Sequence, residues 1–379
     1  MKSGRRFFTI ITAIIAFVIS SCGKGNADPY APDSGNKTPG TSDTPEGNKE
    51  TVFAKGADIS WVTEMEAEGV KFHNAAGEQK DCFVLMKELG MNAIRLRVWV
   101  NPEKTYGNWS NQTDVVAKAK RAKEAGLDVM IDFHYSDFFA DPGKQTKPEA
   151  WKSKSFEDLK AAVASHTSSV LKAIKAAGVE PKWIQIGNET RNGMLWSDGQ
   201  LWTNSGDIKN GWQNYAALSN LGYDAAKAVF KDAIIIVHQN NAWENLNWWF
   251  TKFSNAGGKF DMIGLSHYPQ AEIDKTWQTV NTLALNNIAS LGREFNCGIM
   301  ICEIGVKTHI NETEAAKALQ EFMTSAKKID CCSGVFYWEP QANGSWKPKY
   351  YKTLNWNAYD MGAFTADWKP SSVLKAFSN

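Results

Sequence analysis

The chain has 379 residues, with 42 Lys and Arg against 41 Asp and Glu, for a formal net charge of +1. That balance suggests no polyanionic partner and excludes a nucleic-acid-binding surface as the leading reading. Sixteen tryptophans fit a glycan cleft, because indole faces stack on sugar C–H faces, although Trp is also good core filler.

Residues 1–21 carry Lys2, Arg5 and Arg6, then an apolar run over 7–19, then small residues before Cys22. This describes a secretory signal and not a membrane span, which needs about 20 apolar residues. Ile19-Ser20-Ser21-Cys22 resembles a bacterial lipobox, which makes Cys22 the lipidated first residue of the mature chain. An ordinary signal peptide with an incidental cysteine is the alternative. Residues 22–51 are rich in Gly, Asn, Asp, Pro, Ser and Thr and read as a disordered tether. Export, a lipid anchor and a place at the outer membrane or cell surface of a bacterium follow as expectations.

Residues 52–379 carry the periodic patterns of one domain. Short apolar, β-branched runs predict strands at 57–61, 93–98, 128–133, 183–187, 234–238, 262–266, 299–303 and 335–338. Between them, amphipathic stretches predict helices at 82–89, 114–125, 156–177, 214–230, 277–295 and 312–328. A weaker helix falls at 245–255, and 371–377 closes the set. Gly90, Gly126 and Gly178 follow three of these as stop signals. Eight strands alternating with helices predict parallel strands with right-handed crossovers, hence an α/β protein with a (β/α)8 TIM barrel. A doubly wound sheet is the rival, but no Gly-rich phosphate loop follows the first strand. Besides Cys22 there are five cysteines with no zinc spacing; they read as small core residues, with one unassigned disulfide at most.

In a (β/α)8 barrel the active site forms at the C-terminal ends of the strands, and here polar and aromatic residues collect there. In chain order these are Asp58 and Trp61, Arg95, Arg97 and Trp99, then Asp132, His134 and Asp137. Asn188 and Glu189 follow, then His267 and Tyr268, Glu303, and finally Trp338 and Glu339. Glycosidic-bond hydrolysis needs two carboxyl groups flanking one bond, one protonated and one ionised. Glu189 and Glu303, ending the fourth and seventh strands, are that pair; Asp132 and Glu339 are the rival carboxylates. A structural ion pair is the competing reading of any one of them.

The segments Gly56-Ala57-Asp58-Ile59-Ser60-Trp61, Asn92-Ala93-Ile94-Arg95-Leu96-Arg97-Val98-Trp99 and Asp132-Phe133-His134-Tyr135-Ser136-Asp137-Phe138 extend this pattern. So do Asp141-Pro142-Gly143-Lys144-Gln145, Gln185-Ile186-Gly187-Asn188-Glu189 and Gly334-Val335-Phe336-Tyr337-Trp338-Glu339-Pro340. Together they resemble glycoside hydrolase family 53, the arabinogalactan endo-β-1,4-galactanases within clan A of retaining enzymes. The resemblance covers about residues 52–370. It implies Glu189 as acid/base, Glu303 as nucleophile, and Asn188 on the sugar 2-hydroxyl. It also implies Arg95 (with Arg97 as second candidate) keeping the nucleophile ionised, His267 or Tyr268 hydrogen-bonded to Glu303, and Trp338 as a sugar floor. Asp58, Trp99, His134 and Asp137 become candidate sugar contacts, with a loop-tying role the alternative for His134 and a salt bridge for Arg97. The implied activity is double-displacement hydrolysis of β-1,4-galactan in pectic side chains. Another clan A β-glycanase (mannanase, xylanase or endoglucanase) and a non-catalytic glycan-binding lipoprotein are the alternatives. No cofactor is required. Some family members hold structural calcium in the loop after the eighth strand, but here residues 341–360 offer a single late acid, Asp360, beside Lys347 and Lys349, so only carbonyl oxygens remain for it.

Overall fold

The computed structural model describes residues 52–103, 107–272 and 274–378. The proposed signal peptide, Cys22 and the tether lie outside the described residues. Eight strands form a closed, wholly parallel barrel: β1 (Ala54–Asp58), β2 (Ala93–Val98), β3 (Asp128–Phe133), β4 (Trp183–Ile186), β5 (Ile234–Gln239), β6 (Met262–His267), β7 (Gly298–Ile304) and β8 (Cys332–Trp338), which pairs back onto β1. Closure pairs every strand on both edges. The first strand runs three residues earlier than the sequence predicts. Asp58 Oδ1 accepts the backbone N–H and hydroxyl of Ser60, which turns the chain into the unpredicted helix α1 (Val62–Ala67).

The outer ring holds α2 (Cys82–Glu88), α3 (Gln112–Glu124), α4 (Phe156–Ala176), α5 (Gly211–Val229), α6 (Asn247–Asn255), α7 (Trp277–Phe295) and α8 (Glu312–Ala326). Side-chain caps start five of them: Asp81, Asn111, Ser155, Thr276 and Asn311 each accept from first-turn N–H groups. Gly90, Gly126 and Gly178 end helices with positive φ, as the stop signals require. The short helix α9 (Lys349–Thr353) lies in the loop after β8, and residues Ser372–Phe377 form a 3-10 turn where a closing helix is predicted. Short hairpins between β4 and α5 have no counterpart in the sequence reading. The five described cysteines are all free thiols, so no disulfide joins them.

Strand alternation divides the barrel into two shells. Outward residues such as Ile94, Leu96, Ile131, Ile184, Ile263 and Ile301 pack against the helices in the main core. Inward residues at the N-terminal end, Ala93, Met130, Trp183, Ile236, Met262, Met300 and Phe336, form a separate apolar plug. Phe336 fills the space over Gly56, where a Cβ would lie 2.2 Å from its Cδ1. One layer higher the inward positions turn polar: Asp58, Arg95, Asp132, Gln185, His238 and Ser266 are all buried. The apolar plug therefore floors a polar chamber at the C-terminal end.

Candidate active site

Arg95 is the hub of that chamber. It is fully buried on the inner face of β2, and its guanidinium reaches Asp58 Oδ2 at 2.7 Å, Asp132 Oδ2 at 2.9 Å and Glu303 Oε1 at 3.0 Å. It also donates to Gln185 Oε1 and to Asn188 Oδ1 at 2.8 Å. Burial opposes its charge, but Asp132, Glu303 and Asp58 outweigh that and raise its pKa further. A lysine has no planar fork to join this many partners.

Glu303 owes its direction to a β-bulge. Leu265 and Ser266 of β6 face Ile301 and Glu303 of β7, so Cys302 is an extra residue, and the shift recurs against β8. Cys302 and Glu303 thus both face the barrel interior, which strict alternation forbids. Tyr268 donates to Glu303 Oε2 at 2.8 Å while Arg95 holds Oε1. Burial raises the Glu303 pKa, and Arg95 and Tyr268 pull it back.

Glu189 follows Gly187 (φ 79°) and Asn188 at the end of β4 and itself has φ 46°. A non-glycine residue in that left-handed region is strained and needs support. Support comes from both sides: Glu189 N donates to His238 Nδ1 at 3.4 Å, and buried Gln145 donates to the carbonyls of Asn188 (2.8 Å) and Glu189 (3.4 Å). Part of Glu189 still reaches solvent, but its carboxyl sits in a dry setting. Burial first, and then the charge of Glu303, raise its pKa well above the ordinary range. The two carboxyl groups therefore feel each other, and the proton preference falls on Glu189, whose cation Arg95 acts only weakly.

A sequence model of glycosyl hydrolase family 53 matches residues 54–377 of the chain. The protein belongs to glycosyl hydrolase family 53. It is a glycoside hydrolase. An arabinogalactan endo-beta-1,4-galactanase of Thermothelomyces thermophilus is 31% identical over 313 residues, spanning 76% of this chain and 89% of the relative. One from Cellvibrio japonicus is 31% identical over 357 residues, spanning 86% and 90%. Among solved structures, a fungal beta-1,4-galactanase superposes with a TM-score of 0.73 at 28% identity, covering 86% of this chain and 99% of that one.

The remaining residues expected in this family 53 site fall into distinct places. Trp338 is half-buried at the mouth, edge-on to Trp61 (5.1 Å between centroids) and Tyr359 (4.7 Å). Asn188 lines the chamber with its Oδ1 on Arg95 and its Nδ2 donating to Ala140 O, which leaves one N–H uncommitted. Tyr268 reaches Glu303, whereas His267 does not. Alternation turns His267 outward, where it stacks on Phe322 of α8 and bonds Asn281 of α7, and burial lowers its pKa to about 4. Asp58 is fully buried beneath Arg95. Trp99 is buried against Phe138, Phe139 and Tyr350 and beside the Arg97 guanidinium, at 5.1 Å. Arg97 pairs with Glu339 at 3.4 Å, and Glu339 also accepts from Trp61 N and Gln341, so it ties loops together. Burial, then the charge of Asp58, raise the Glu339 pKa to about 8. His134 accepts the Ala140 N–H at Nδ1 and donates from Nε2 to Asp132 at 2.9 Å, bridging loop and strand. Asp137 accepts the N–H groups of Asn101 and Glu149, joining two loops. Asp58, Trp99 and His134 are buried, and the half-buried Asp137 is committed to two backbone N–H groups, so these four residues brace the mouth.

Three residues absent from the expected list belong to the site: Gln185, His238 and Gln145. Gln185 and His238 stand on strand interiors where their inward parity was readable, but an uncharged Gln in an apolar strand carries little signal. In the loop after β8, Asn343 Oδ1 is already taken by Ser345 and Trp346, and no cluster of three metal-binding side chains occurs among the described residues. These donors do not fit a calcium site.

Proposed function

We propose that this hydrolase is a retaining endo-β-1,4-galactanase, with Glu303 as nucleophile and Glu189 as acid/base. The observation carrying the roles is the asymmetry of the two carboxyl groups: Glu303 is held by Arg95 and Tyr268, while Glu189 is dry and weakly compensated. In the first step a Glu303 oxygen bonds the anomeric carbon as the glycosidic C–O bond breaks, and the Glu189 proton passes to the leaving oxygen. In the second, Glu189 takes a proton from water, whose oxygen bonds the anomeric carbon and releases Glu303. In this reading the uncommitted Asn188 N–H binds the sugar 2-hydroxyl and Trp338 stacks on the sugar face, roles supported by their position beside Arg95 and at the barrel mouth. The names of the Thermothelomyces and Cellvibrio relatives support galactan as the substrate.

Reducing sugar released from galactan, with none from mannan, xylan or cellulose, tests the specificity; inactivity on galactan refutes it. Proton NMR of the first product should show the β-anomer, and an initial α-anomer rules out retention. Glu303→Ala should abolish turnover yet bind oligosaccharide. Glu189→Ala should keep attack on aryl glycosides with good leaving groups, which need little acid assistance. We further propose export and lipidation at Cys22, placing the enzyme on pectic galactan at the bacterial outer membrane or surface. A Cys22→Ala chain that still fractionates with membranes would contradict this.

A further inference from the structure

Trp248 is 42% exposed, although large indoles are normally placed under cover. It is the second residue of α6, the helix that follows β5, so it stands at the C-terminal, catalytic end of the barrel. Packing does not require it there, because the next residue, Trp249, is the fully buried one that anchors α6 in the core. Two half-buried tryptophans flank it: Trp202, from a short hairpin before α5, at 6.2 Å between centroids, and Trp212, the second residue of α5, at 6.4 Å. The group is tied to the acid turn through Arg191. Arg191 N donates to Glu189 O at 2.8 Å, and Trp249 Nε1 donates to Arg191 O at 2.7 Å. The Arg191 guanidinium, held by Glu244 at 2.6 Å, reaches over the Trp248 ring at 5.6 Å. Two residues span at most about 7 Å, so the Arg191 backbone stands beside the acid and its side chain bridges outward to Trp248.

Resting on Glu189 as acid/base and on galactan as substrate, we infer that Trp248, with Trp202 and Trp212, is a binding platform for the galactan residues on the leaving side of the cleaved bond. The Glu189 proton passes to the leaving oxygen, so the departing part of the chain lies on the Glu189 side of the centre. Strand order gives the same direction. In the closed barrel β4 faces β8 across the mouth, so a chain whose cleaved sugar rests on Trp338 at the end of β8 departs over β4 and β5. The elements that follow those two strands carry Trp202, Trp212 and Trp248. Sugar C–H faces stack on indole, and a neutral polymer needs no countercharge from the platform. Contacts this far from the reacting carbon are made in ground and transition states alike, so they lower KM and leave kcat largely unchanged.

Trp248→Ala in the full chain removes an exposed ring and leaves Trp249 in the core. On galactan its KM should rise about three- to tenfold, the size of one lost aromatic contact, with kcat changing far less. On a galactan hexasaccharide labelled at its reducing end, the labelled fragment is the leaving part. Weaker leaving-side binding should move cleavage toward the label and shorten the labelled products. Trp202→Ala should act in the same direction, and Trp248→Tyr, which keeps a stacking face, should restore most of the native pattern. Native KM and native cleavage positions in both alanine variants overturn the inference. So does a raised KM with unmoved cleavage positions, which would put the tryptophans at a surface site separate from the cleft. The unmutated chain, assayed alongside, separates the two claims: no sugar released from galactan means the galactanase reading itself has failed, whereas normal release with unmoved cleavage in the variants sinks the platform alone.

Discussion

Tyr268→Phe isolates one of the two contacts that hold Glu303. The Tyr268 hydroxyl donates to Oε2 at 2.8 Å, and Arg95 keeps Oε1 at 3.0 Å in the variant. A hydrogen bond to a charged group contributes about 1.5–3 kcal/mol, which is about one to two pKa units at 1.36 kcal/mol per unit. The donor favours the ionised carboxyl, so its loss raises the Glu303 pKa, adding to the rise that burial already causes. Activity requires ionised Glu303, so the acidic limb of kcat/KM should move to higher pH by about one to two units. The alkaline limb, set by Glu189, should move much less. The plateau should fall by less than about tenfold, since charge leaves Oε2 as the new bond forms. Initial rates on galactan, whose poor leaving group needs the Glu189 proton, measure both limbs across the pH range, with circular dichroism confirming the fold. An unmoved acidic limb, or a shift confined to the alkaline one, would refute the assignment of Glu303 and of Tyr268 as its donor.

Arg95→Met strands the buried carboxyls of Asp58, Asp132 and Glu303 together; stability by denaturant titration should drop by about 3–5 kcal/mol, and activity should vanish in the fraction that remains folded. Gly56→Ala drives a methyl into the Phe336 ring and should cost about 1–3 kcal/mol, partly recovered by adding Phe336→Leu; strict additivity of the two would contradict the contact. Burial raises the Glu64 carboxyl to about 7, so the folded state holds its proton more tightly than the unfolded chain. Its stabilising share is complete below the ordinary value of 4.5 and is lost as pH rises through about 7. Glu64→Gln keeps an acceptor for the Lys349 N–H, and should shrink the fall in melting temperature between pH 5 and pH 8; an unchanged fall would show that Glu64 is not responsible.

The barrel was legible because each strand carries its own local signal: a short apolar run, a turn, then a capped amphipathic helix. Strand boundaries slipped where side chains intervened, as at Asp58, whose grip on Ser60 ends β1 early. Glu189 and Glu303 stood out because a carboxylate at the end of an apolar strand is costly unless it has work or a partner. The case of His267 and Tyr268 shows the limit. Both are ring residues at one strand end; alternation along β6 sends His267 outward to Phe322, but that Tyr268 meets Glu303 depends on the Cys302 bulge, which turns Glu303 inward.

By itself, then, the sequence determined the repeating strand and helix pattern, the polar strand ends and the catalytic candidates, since these follow from local periodicity and composition. Only tertiary structure decided which groups share a proton environment. Closure brings Arg95 against carboxylates from β1, β3 and β7, sets Gln145 and His238 around the strained turn at Glu189, and seals Asp58 and Trp99 beneath the mouth. Those relations join residues up to 245 positions apart between Asp58 and Glu303, and burial acts on them only once the chamber exists.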